Sequence, residues 1–250
     1  MGLSSEEKVD MARSLIEGEP DEKVLDFCTK IIAEDPNNVD AYYLRAEIYF
    51  NMKNYRKAIS DYNRVLSLDK SKYEEAYAYR GDAYFYTDKY KQALTDYTKA
   101  IKAGYGDEGT FANRGWIYGK ICQEYEKAIE DFNRAIKINP ENAEHYNNRA
   151  LAYSLLEQKD KAIQDLNTAV KLNPNYFDAY ANLGLTYVSM ENYKKAIPQF
   201  SKAIEINPNY ADVYVWRGRC YEELKDLPNA RADYTTAENL GYQKKEGRFF

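Results

Sequence analysis

Arginine and aspartate recur in step along this 250-residue chain. Arg45, Arg80, Arg114, Arg149 and Arg217 are followed, 16 or 17 residues later, by Asp61, Asp96, Asp131, Asp165 and Asp233. One copy departs from the pattern: Leu183 stands where arginine is due, and Gln199 stands where aspartate is due. Residues that change together in this way read as partners. A guanidinium and a carboxylate can meet through two parallel hydrogen bonds, so the spacing predicts an ion pair between two elements. A ligand role for these arginines is the weaker reading, because the aspartates already account for their charge.

No catalytic set accompanies the pairs. The single His145 supplies neither a relay nor a metal pair, and Cys28, Cys122 and Cys220 are too far apart for metal spacing. No glycine-rich phosphate loop is present. The expectation is a protein that is not an enzyme and takes no cofactor and no metal. An odd, scattered cysteine count fits a reducing compartment, so a cytoplasmic location is expected. Net charge is −5 with acids and bases interspersed, which argues against nucleic acid and anionic membranes as partners. No run of eighteen apolar residues could span a bilayer, and no apolar stretch follows Met1 as a secretory leader requires.

The elements that must carry the pairs are legible in a repeat. Ala46, Gly81, Gly115, Ala150, Gly184 and Gly218 recur at intervals of 35, 34, 35, 34 and 34. With that residue numbered position 8 of each copy, position 11 is tyrosine throughout, from Tyr49 to Tyr221. Position 20 is alanine throughout, from Ala58 to Ala230, and position 24 is Tyr62, Tyr97, Phe132, Leu166, Phe200 and Tyr234. Positions 4, 8 and 11 share one helical face, as do 20, 24 and 27. Two amphipathic helices per copy follow, over roughly positions 1–14 and 18–31. Small residues at 8 and 20 let the two helices approach, and the aromatics at 4, 11 and 24 are expected to fill the core. Pro140, Pro174 and Pro208 close three copies.

This pattern of small residue, tyrosine, alanine, aromatic, alanine and proline resembles the tetratricopeptide repeat. The resemblance implies an all-α fold: a right-handed superhelical solenoid of antiparallel helix pairs. It implies six units, at 39–73, 74–107, 108–142, 143–176, 177–210 and 211–244. Residues 1–38 read as a degenerate cap, with Ala12, Leu15, Val24, Cys28 and Ile31 on the core positions ahead of Pro36. Residues 245–250 are left as a tail. Glu124 and Tyr125 mark a one-residue insertion before the second helix of the third unit, and Lys70, Tyr105 and Tyr242 replace the closing proline.

In this family positions 2, 5, 6 and 9 line a concave groove that takes partner peptides. Position 6 reads Leu44, Tyr79, Asn113, Asn148, Asn182 and Trp216. The three asparagines, with Asn147 beside them, are similar to the ladder of the repeat region of O-linked N-acetylglucosamine transferase. A carboxamide both donates and accepts, so it can match a peptide backbone. Position 5 has no lysine, so the family's carboxylate clamp for chaperone C-termini is not expected. Acids recur at position 2, where they complement a helix macrodipole or attract a cation. At position 9, Glu47 and Asp82 are acidic, Trp116, Leu151 and Leu185 are apolar, and Arg219 is basic. The candidate site is therefore Asn113, Asn148, Asn182, Asn147, Trp116, Trp216, Tyr79, Glu47, Asp82 and Arg219. The resemblance implies an interaction scaffold or adaptor holding a protein or peptide with basic residues, as a monomer or weak end-to-end dimer. The alternative is the substrate-recruiting part of a larger enzyme.

Overall fold

A computed structural model describes residues 5–15, 21–69, 71 and 73–243. Lys70 and the tail at 245–250 lie outside the described residues, as does the side chain of Leu15. Among the described residues every regular element is helical. The chain divides into two compact units, Met1–Ile117 and Tyr118–Phe250.

The first unit holds α1 (Ser5–Leu15), α2 (Asp21–Glu34), α3 (Val39–Asn51), α4 (Tyr55–Leu68), α5 (Ala76–Phe85), α6 (Tyr90–Ala103) and α7 (Glu108–Ile117). Successive helices pack on one another, from α1 on α2 through α6 on α7. The second unit opens with a π-helical segment, Tyr118–Cys122, followed by α8 (Tyr125–Ile138), α9 (Ala143–Leu155) and α10 (Lys159–Leu172). It continues with α11 (Phe177–Ser189), α12 (Tyr193–Ile206), α13 (Ala211–Glu223) and α14 (Leu227–Asn239), again each helix packing on the next.

The core follows the small-beside-large rule read from the repeat. Position 20 alanines and position 24 side chains from Tyr62 to Phe200 are buried. The approach at position 8 is close: a Cβ on Gly184 would lie 2.5 Å from Phe200 Cε1, and one on Gly81 would lie 2.8 Å from Tyr97 Cε1. Positions 4 and 11 sit at the edge of that core. Their tyrosines are half-buried: they pack against the core and in four repeats also lie over an arginine, while Phe111 at position 4 of the third is buried.

Helix boundaries rest on local side-chain bonds. Asn139, Asn173 and Asn207 are extended, as the residue before proline must be. Each side-chain oxygen also accepts the N–H two residues on, at 3.2, 3.1 and 3.2 Å. Asp69 makes the same bond to the N–H of Ser71 at 2.9 Å, so this turn survives loss of the proline. The units that close at Tyr105 and Tyr242 use glycine instead. Gly104 and Gly241 take φ of 101° and 87°, and Tyr105 and Tyr242 donate back to Ala100 and Ala237. Within each repeat one residue turns left-handed without being glycine: Lys53, Asp88, Gln123, Glu157, Glu191 and Lys225, at φ between 56° and 63°. Because Gln123 keeps that place, the extra residue of the third repeat is absorbed upstream of it. It lies in the π-helical segment Tyr118–Cys122, not at Glu124 and Tyr125.

Candidate functional site

Four of the five arginine–aspartate pairs form as the covariation predicts. Arg149 donates from Nε to Asp165 Oδ2 and from Nη2 to Oδ1, both at 2.7 Å. Arg45–Asp61, Arg80–Asp96 and Arg217–Asp233 repeat this fork at 2.6–2.9 Å. The remaining Nη1 reaches back to the second helix of the preceding repeat. Arg45, Arg80, Arg114, Arg149 and Arg217 donate from it to Thr29, Asn63, Thr98, Asn133 and Ser201. The tyrosines at positions 4 and 11 hold the guanidinium over their rings at 5.5–6.0 Å in four of these repeats. Hydrogen bonding to Asp61 and to Asp233 keeps Arg45 and Arg217 above their ordinary pKa. One planar cation thus joins three helices, with its Nε and both terminal nitrogens bonded inside the fold.

The first helices of the repeats carry the predicted partner-facing residues. On α3, α5 and α7 most are already engaged. Leu44 is buried. Tyr79 lies 6.4 Å from the ring of Tyr62, and its hydroxyl oxygen accepts from Tyr105 at 3.3 Å. Asp82 Oδ1 accepts from the Tyr97 hydroxyl at 2.7 Å and from Asn113 Nδ2 at 3.0 Å. Burial pushes the Asp82 carboxyl up to about 6 against the pull of those two bonds. Glu47 is partly buried, and burial raises its pKa while the charge of Arg13 opposes the shift. Trp116 meets Phe85 edge-on at 5.3 Å and tilts on Tyr90 at 5.5 Å.

On α9, α11 and α13 the arrangement is more open. Asn147 is buried and accepts from Asn182 Nδ2 at 2.9 Å. Asn148 is part-exposed and has no hydrogen-bond partner among the described residues. Leu151 and Leu155 follow on the same helix face, 41% and 60% exposed. Trp216 leans on Phe200 at 5.9 Å and on Tyr210 at 6.5 Å. Arg219 is part-exposed and places its charge near Tyr234.

Position 5 therefore does not share the open face. Tyr43, Ala78, Asn147, Ala181 and Val215 are buried and Ala112 is half-buried. The pattern also hid the residue just before each repeat. It is either a helix cap, as in Asn38 accepting from Ala41 N at 2.8 Å and Asp107 accepting from Thr110 N at 2.7 Å, or a tyrosine, as in Tyr73, Tyr176 and Tyr210. Alternation between capping residues and tyrosine at that place was the signal available in the sequence.

Known proteins fit this geometry. Family models described as tetratricopeptide repeat match residues 39–72, 177–210 and 200–232, and one described as TPR repeat matches 121–156 and 155–191. Among solved structures, YrrB, described as a TPR protein with an unusual peptide-binding site, is 26% identical with a TM-score of 0.68. The match covers 74% of this chain and 95% of that one. MamA is 30% identical over 64% of this chain and 94% of its own, with a TM-score of 0.61. A tetratricopeptide repeat protein of Parabacteroides merdae ATCC 43184 shares the fold at 19% identity, covering 97% of this chain and 95% of its own with a TM-score of 0.65. No curated protein matches the chain.

Proposed function

The chain belongs to the tetratricopeptide repeat family, and on that premise we propose that it is a non-catalytic scaffold holding an extended protein segment against α9 and α11. The observation that carries this reading is Asn148 beside Leu151 and Leu155. A carboxamide with no partner among the described residues stands one helical turn from Leu151 and two from Leu155, both exposed. Backbone N–H and C=O groups of a segment would pair with Asn148, and its apolar side chains would cover Leu151 and the half-buried Leu185. The unusual peptide-binding site of YrrB supports the same class of partner. The absence of lysine at the buried position 5 supports a site other than a carboxylate clamp. A reducing, cytoplasmic setting is part of the proposal. It is supported by three free thiols, of which Cys28 and Cys220 are buried and pushed up to about 11 and 12, chiefly by that burial.

The test is affinity capture followed by titration of a synthetic peptide spanning the captured segment. The double variant Asn148→Ala, Leu151→Glu is expected to weaken the peptide at least roughly tenfold, with an unchanged circular dichroism spectrum. Unchanged affinity would place the segment elsewhere. Asn113 and Asn182 are poorer probes, because their side chains also hold Asp82 and Asn147.

A further inference from the structure

In the first and fourth repeats the position 2 acid, the position 5 side chain and a tyrosine just before the next repeat share one register. In the first unit this set is Asp40, Tyr43 and Tyr73, a corner that already holds a cation. Tyr73 donates its hydroxyl to Asp40 and stacks on Tyr43 with ring centroids 4.0 Å apart. Arg13 of α1 donates from Nη2 to the Tyr73 oxygen at 2.9 Å. Its charge also reaches Glu47 at position 9.

The same register in the second unit gives Glu144, Asn147 and Tyr176, with the Asn147 carboxamide standing where Tyr43 stands in the first. No cation pairs with Glu144 or Glu141 among the described residues. A cavity of about 380 Å³ opens there, lined by Glu141, Asn142, Ala143, Glu144, Asn173 and Tyr176 among others. Both tyrosines are pushed up to about 12, chiefly by burial. Acidic neighbours add to that rise at both, Asp40 at Tyr73 and Glu144 and Asp178 at Tyr176, and at Tyr73 the charge of Arg13 opposes it.

We propose that the Glu144–Tyr176 cavity is a binding site for an arginine side chain of the partner segment, seated as Arg13 is seated against Tyr73. A guanidinium is planar, bridges carboxylates through paired donors and lies on a tyrosine face, which an ammonium does less well. This moves the basic anchor of the partner away from Glu47 and Asp82, which the first unit itself engages. The proposal deepens the scaffold reading and rests on it for the source of the arginine.

The experiment is an NMR titration of the full chain with N-acetyl-L-arginine N-methylamide, beside the neutral isostere N-acetyl-L-citrulline N-methylamide. Saturable amide shifts centred on Glu144 and Tyr176 are expected with the first and not the second. In Glu141→Gln, Glu144→Gln the half-saturation point is expected to rise at least fivefold. Arg13→Gln should open the equivalent corner, adding a second set of shifts around Asp40 and Tyr73. Absence of saturable shifts at Glu144, or equal shifts with the citrulline compound, would overturn the proposal. Failure of Arg13→Gln to add the second set would remove the equivalence it is built on. Because the probe is a single capped residue, the cavity can bind it even where capture through Asn148 and Leu151 fails, and the two readings are tested apart.

Discussion

Arg149 shows how much one side chain can bind together. Its guanidinium meets Asp165 twice, Asn133 once, and lies over Tyr146 and Tyr153. Asp165 is buried, so removing arginine alone leaves a carboxylate with its cation gone. Arg149→Ala is expected to cost about 2–4 kcal/mol, and Asp165→Ala on that background less than about 1 kcal/mol more. Chemical denaturation of both single variants and the double variant measures the coupling, and additive losses would refute the pairing. Asp82 offers a pH test. Its folded pKa of about 6 lies above the unfolded value of 3.8. Between those values the folded chain keeps a proton that the unfolded chain has lost, so this residue lowers stability as pH rises. Asp82→Asn keeps an acceptor for Tyr97 and Asn113. It is expected to exceed the parent by about 1–3 kcal/mol at pH 7, with the gain vanishing below about pH 4. The arginine partners were legible because both members recur within one repeat. The partners of Asn113 and Asn182 were not, because Asp82 and Asn147 belong to the preceding repeat at positions that carry no periodic signal.

Among the elements, the 3.6-residue pattern located the helices but not their fastenings. The proline closures were visible, whereas the side-chain turn of Asp69, Asn139, Asn173 and Asn207 that works with or without proline was not. The left-handed residue of each repeat escaped notice for a related reason: six different turns reach positive φ without a glycine to mark them. Helical spacing alone assigns the half-buried tyrosines of positions 4 and 11 to the core, because an aromatic at that spacing usually belongs there. In four repeats the arginine between them also takes their faces. The close contact between α11 and α12 allows a direct test. Gly184→Ala sets a Cβ 2.5 Å from Phe200 Cε1, so overpacking is expected to outweigh any gain in helix propensity and cost about 1–3 kcal/mol. Pairing it with Phe200→Leu should recover part of that loss in thermal melts.

At the scale of the whole chain, each helix packs chiefly on its neighbours in sequence, so damage should stay local. Hydrogen exchange on Gly184→Ala is expected to accelerate first in α11, α12 and α13, with amides of α3 to α6 unchanged. Uniform acceleration throughout would show a single cooperative block instead. The backward reach of the arginines carries a further consequence, for how such a chain can lengthen. Thr29, Asn63, Thr98, Asn133 and Ser201 sit in one repeat and accept from the next. Asn167 occupies the same place although Leu183 follows it. A tandem duplication of a repeat that holds one of these arginines therefore arrives carrying both halves of the seam, a guanidinium for the copy behind it and an acceptor for the copy ahead.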